Sequence, residues 1–118
     1  MKKKFLHAKI HRATVTDANL NYAGSISIPV DLMEASGINE YQFVQVVNIN
    51  NGLRFETYVI KGESGSKNIC LNGAAARLAE IDDRIIIMAY CDLEPNEIPN
   101  HKPIIIVLDE TNTIINKK

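Results

Sequence analysis

Four cations, Lys9, His11, Arg12 and Arg54, stand in segments of β-like pattern. Cations on one sheet face bind carboxylates when they converge and are merely solvated when they do not. Gly24-Ser25 reads by itself as a turn. His7, His11 and His101 lack metal-ligand spacing with carboxylates, and Cys70 and Cys91 sit in apolar runs with no CxxC pair. A metal site or a disulfide framework is therefore not expected, and the thiols read as buried and reduced. No P-loop, GxGxxG, HExxH or GxSxG occurs, so phosphate cradles, dinucleotide folds, zinc proteases and nucleophile elbows have no motif to rest on.

The elements that must position these groups are short and mostly β. Leu6, Ala8 and Ile10 alternate with His7, Lys9 and His11, the two-residue period that puts Lys9 and His11 on one face. Residues 17–24 form a polar, turn-rich connection, and residues 25–28 a short strand ended by Pro29. Residues 29–36 fit a helix, with Pro at its start and Gly37 just past its end. Residues 44–49 and 53–60 flank Asn50-Asn51-Gly52, the pattern of a hairpin whose turn needs positive φ. A strand over 69–71, a one- or two-turn helix over 74–79, a buried strand over 85–91 and a last strand over 104–108 complete the pattern, with a polar tail behind. Many short strands with two small helices suggest a closed β-barrel, because closure removes unpaired edges. On a regular strand Arg54 and Tyr58 share a face about 13 Å apart while Thr57 points away, so a site using all three requires a bulge or a second subunit.

The chain has 118 residues and a formal net charge of −1, the size of one domain, residues 1–118, with a core of its own. Near-neutrality argues against coating nucleic acid, and the absence of Trp with only three Phe and four Tyr leaves little for base stacking. The longest apolar run, 85–91, is far below the ~20 residues of a membrane helix. The basic residues near the start have no apolar stretch behind them, since Lys9, His11 and Arg12 interrupt it, so no signal peptide is expected and a cytoplasmic location is.

Read in order, the motifs make a larger pattern. Tyr22-Ala23-Gly24-Ser25 follows a Lys-x-His-Arg strand and a Thr16-Asp17-Ala18 turn; later come Asn51-Gly52-Leu53-Arg54-Phe55-Glu56-Thr57-Tyr58 and Asn72-Gly73-Ala74-Ala75-Ala76. From about Lys9 to Tyr90 this order and spacing closely resembles the pyruvoyl-dependent aspartate decarboxylases. The resemblance implies a six-stranded double-psi β-barrel, a homotetramer with active sites between subunits, and cleavage between Gly24 and Ser25 into residues 1–24 and 25–118. It implies that Ser25 becomes a covalent pyruvoyl group, with neither metal nor pyridoxal phosphate, whose ketone forms a Schiff base with L-aspartate on the way to β-alanine for pantothenate and coenzyme A. It assigns Thr57 to the oxyanion of the cleavage step and Tyr58 to proton return. Lys9 and Arg54 bind substrate carboxylates, His11, Thr57, Asn72 and Tyr22 are further contacts, and Gly73, Ala74 and Ala75 line the pocket. It leaves open whether a helper protein assists maturation. Two rival readings keep the barrel: a member that never matures, and a DNA-binding or interaction module, which expects a basic face and salt-sensitive affinity, whereas this chain is neutral overall.

Overall fold

The structure, a computed structural model, describes residues 1–21 and 24–118. Its described residues form nine strands and one short α-helix, so the mainly β expectation holds. The strands are β1 (Lys3–Thr14), β2 (Asp17–Asn19), β3 (Ser25–Pro29), β4 (Phe43–Asn48), β5 (Arg54–Gly62), β6 (Cys70–Asn72), β7 (Arg84–Leu93), β8 (Ile104–Leu108) and β9 (Ile114–Lys117). They join in one sheet in the order β2-β6-β3-β5-β4-β7-β1-β8-β9. The six strands of five or more residues are contiguous in that order, and the three short ones sit at its ends. The six also mirror one another. β3 runs parallel to β5, which is antiparallel to β4; β8 runs parallel to β1, which is antiparallel to β7; and β4 and β7 join the halves antiparallel.

The alternation seen in the sequence sets the core. Ala8 and Ile10 are fully buried between Lys9 and His11, and Ile85, Ile87 and Ala89 turn inward while Ile86, Met88 and Tyr90 do not. β7 is thus half-buried, not buried on both faces, because the sheet it crosses has only one apolar side. Ile10, Ile26, Ile28, Val44, Val46, Val59, Ile87 and Ile106 meet in one cluster, each side chain contributing about 1.5–3 kcal/mol on leaving water. β1 bulges twice, and at the second bulge Arg12 takes φ 67°. The Arg12 carbonyl accepts from Arg84 Nε and Nη2 at 3.1 and 2.7 Å.

Helix α1 (Val30–Ser36) begins after Pro29 and stops at Gly37, whose φ of 78° lets its N–H reach the Met33 carbonyl at 2.9 Å. The 50–52 hairpin turn is longer than a two-residue loop. Only Gly52 has positive φ, its N–H returns to the Asn48 carbonyl, and the Asn48 N–H bonds Leu53. Three expectations need correction. The 17–24 connection contains strand β2, which pairs parallel with β6. The 74–79 helix is a single 3₁₀ turn, Gly73–Arg77. The polar tail contains β9, whose alternation is too weak to announce it and which forms by docking on β8. Asn112, in the loop before β9, is 2% exposed and bonds both Thr14 backbone groups and the Lys67 carbonyl through its side chain.

Candidate active site

Ser25 opens β3. Its antiparallel partner on β6 is Asn72, and the parallel pairing of Ile26 with Val59 brings it level with Tyr58 on β5. Gly24, just outside the strand, is exposed, and a Cβ built on it would meet nothing within 4 Å. An open cleft of about 370 Å³ lies beside it, walled by Gly24, Thr57, Tyr58, Ala74 and Ala75. That is the liquid volume of roughly a dozen waters. The small wall residues belong to the 3₁₀ turn, which follows Asn72 directly because Gly73 takes φ 64°.

Behind the cleft the polar groups are paired. Asn72 Nδ2 donates to Ser25 Oγ and to Ser27 Oγ, both at 3.0 Å, and Cys70 Sγ donates to Asn72 Oδ1 at 3.1 Å. Ser25 and Asn72 are each 2% exposed. Burial, with the Asp17 carboxylate nearby, pushes the Cys70 thiol above its ordinary value. Thr57 is half-buried and faces the core side of β5, whereas Tyr58 faces outward.

A second group of site candidates lies elsewhere. Lys9, Met88, Gln45 and Glu56 stand in register across β1, β7, β4 and β5. Lys9 is therefore three strand spacings, roughly 14 Å, from β5. Arg54 Nη1 donates to Gln45 Oε1 at 3.0 Å, and the Tyr90 hydroxyl donates to the same oxygen at 2.8 Å. Neither Lys9 nor Arg54 forms an ion pair among the described residues. His11 Nδ1 is buried without a hydrogen-bond partner. Burial first, then the charges of Lys9, Arg12, Arg84 and Lys118, hold the His11 pKa below 6.5, so the ring is largely neutral at pH 7.

One chain thus gathers Gly24, Ser25, Thr57, Tyr58, Asn72, Gly73, Ala74 and Ala75 and leaves Lys9, His11 and Arg54 off the cleft wall, Arg54 on the same outward face of β5 as Tyr58. β5 pairs with β4 without a register shift from Arg54 to Tyr58, so no bulge there brings Arg54 to the cleft. Tyr22 lies outside the described residues. Cys70 and Cys91 are free and half-buried, not core. No cluster of three His, Cys, Asp or Glu suited to a metal occurs among the described residues, and no helix among them is long and apolar enough to cross a membrane. Sequence reasoning missed Ser27, Cys70 and Gln45 as neighbours of the candidates. Only Ser27 carried a signal, the Ser-Ile-Ser-Ile alternation that puts it on the face of Ser25.

Comparisons with known proteins extend this picture along the whole chain. The sequence model of a family described as aspartate decarboxylase matches residues 1–115, reaching well beyond Tyr90. An aspartate 1-decarboxylase of Caldicellulosiruptor bescii is 66% identical over 93% of this chain and 86% of its own length. One from Clostridium kluyveri is 59% identical over 97% and 90%, and one from Wolinella succinogenes is 54% identical over 100% and 98%. The chain belongs to the aspartate decarboxylase family.

Proposed function

We propose that this chain cleaves itself between Gly24 and Ser25 and then decarboxylates L-aspartate to β-alanine and CO₂, as a homotetramer in the cytoplasm that supplies pantothenate synthesis. The observation that carries the reading is the Gly24-Ser25 bond at the edge of an open cleft, with a buried amide donor on Ser25 Oγ and Tyr58 alongside. The barrel reading rests on the six contiguous longer strands, whose two parallel pairings are related by the mirrored arrangement of their halves.

In cleavage, Ser25 Oγ bonds to the Gly24 carbonyl carbon, the Gly24–Ser25 C–N bond breaks, and the hydroxyl proton passes to the Ser25 nitrogen, leaving an ester. The Thr57 hydroxyl stabilises the oxyanion of that step. Loss of the Ser25 Cα proton then breaks the Cβ–Oγ bond, and Gly24 departs as a carboxylate. The dehydroalanine left behind takes up one water and releases one ammonia to become the pyruvoyl group. Nearly buried Ser25 beside an open cleft fits such a group, since its carbonyls would be held on the wall while substrate has room in front. The pyruvoyl group supplies a ketone for the substrate amine and an electron sink for CO₂ loss.

The chain's own residues do the rest. Tyr58 returns a proton to the substrate Cα. Arg54 clamps one carboxylate with two donors and Lys9 meets the other as a point charge. His11, Asn72 and Tyr22 add contacts, and the backbone of Gly73, Ala74 and Ala75 lines the pocket. With no bulge in β5 and Lys9 three strands away, a neighbouring subunit brings the cations to the cleft. The test is the intact mass of the purified, denatured protein. Two pieces divided at Gly24/Ser25, the larger lighter by one ammonia than a serine-started fragment, are expected. A single full-length species after prolonged warming, with any helper protein present, would overturn the reading.

A further inference from the structure

Strand β3 carries two serines on one side, Ser25 and Ser27, with Ile26 and Ile28 buried on the other. On β6 the register sets Asn72 opposite Ser25 and Cys70 opposite Ser27. Four polar groups therefore share one face of a two-strand ribbon, and the Asn72 amide is their centre. Both of its N–H groups are committed, one to each serine oxygen at 3.0 Å, and its oxygen accepts from the Cys70 thiol at 3.1 Å.

An amide can turn over and exchange its oxygen and nitrogen, and nothing in its shape forbids this. Its partners decide. Burial and Asp17 keep Cys70 protonated at neutral pH, so the thiol has a proton to give and holds the oxygen of Asn72 toward itself. Ser27 takes the second amide hydrogen. The remaining N–H can then point only at Ser25 Oγ. Asn72 is 2% exposed, which leaves water little access to replace a lost partner.

That orientation matters for the cleavage chemistry. A donor on Oγ holds the nucleophile in one rotamer, and it favours the later step in which Oγ leaves as an oxygen of the Gly24 carboxylate. A turned amide would present its own oxygen to that developing anion and repel it. We propose that Cys70 and Ser27 are positioning residues for self-cleavage, acting through Asn72 to keep an N–H aimed at Ser25 Oγ. The proposal rests on the self-cleavage reading above and adds two residues to which that reading gives no role.

The experiment follows, by intact mass against time, the conversion of freshly made full-length protein to residues 1–24 and 25–118. Wild type, Cys70→Ala, Cys70→Ser, Ser27→Ala and Ser27→Thr are compared, with the thermal midpoint of each. Cys70→Ala is expected to slow cleavage about tenfold and Ser27→Ala somewhat less, each having lost one hydrogen bond. Cys70→Ser, which restores a donor, and Ser27→Thr, which restores a hydroxyl, should return to within about threefold of wild type. A merely structural role would make rate follow thermal midpoint and show no rescue by the hydroxyl variants; that pattern overturns the proposal. So does wild-type cleavage in both alanine variants. If wild type itself never divides at Gly24/Ser25, the self-cleavage reading fails, and this proposal with it. Cleavage of wild type with no effect of the alanine variants sinks the proposal alone.

Discussion

The cleft and the outer face of β1, β7, β4 and β5 both carry site candidates, but of different kinds and differently held. Around Ser25 the hydroxyls, thiol and amide are buried or half-buried and mutually bonded, so their geometry is set before any ligand arrives. On the outer face Lys9 and Arg54 form no ion pair among the described residues, and His11 has a buried nitrogen with no partner. Arg54 donates to a neutral acceptor, Gln45, rather than to a carboxylate. The first region is committed to internal hydrogen bonds. The difference teaches that, on the proposed reading, one chain would hold the groups for self-cleavage, whereas turnover of a dicarboxylate would require the two regions to be brought together.

Four experiments break or sharpen that contrast. Ser25→Ala removes the nucleophile, and both cleavage and decarboxylation should vanish, by intact mass and by β-alanine release; residual β-alanine release would detach turnover from the cleft. Arg54→Ala should lower kcat/KM for aspartate by roughly 100-fold, the loss of a bidentate charged clamp, while cleavage stays within about twofold. Cleavage that failed with it would merge the two regions. Co-assembling Lys9→Ala with Tyr58→Phe, each inactive alone, should recover roughly a quarter of wild-type turnover, because random pairing rebuilds that share of shared sites. No recovery in a confirmed mixed oligomer would mean that each site comes from one chain.

The smallest effect concerns His11. Its folded pKa lies below the unfolded value of 6.5, so below that pH the unfolded chain binds the proton first and folding loses ground as pH falls. The thermal midpoint should therefore drop on acidification below 6.5, and His11→Gln should flatten the drop by at most a few degrees. An unchanged profile would place the acid sensitivity elsewhere.

Much of the molecule was legible in its residues. The Leu6-His7-Ala8-Lys9-Ile10-His11 alternation located a half-buried strand and put Lys9 and His11 together. Pro29 and Gly37 bracketed α1, and Gly52 marked the hairpin, because backbone restrictions act within a few residues. β2 and β9 were not legible, since three- and four-residue strands exist only where a neighbour completes their hydrogen bonds. The 3₁₀ turn at Gly73–Arg77 was too short for propensity to choose between helix types.

The site divides in the same way. Residue types, order and spacing were enough to identify the family, the bond between Gly24 and Ser25, and the candidates Thr57, Tyr58, Asn72, Lys9 and Arg54. All of that is local chemistry carried along the chain. That Asn72 faces Ser25 across a gap of 47 residues, that Cys70 and Ser27 converge on the same amide, that Gln45 bridges Arg54 and Tyr90, and that Lys9 stands three strands from the cleft follow from strand register alone. Register is set by which apolar side chains fit the shared core, and only the folded sheet brings those together.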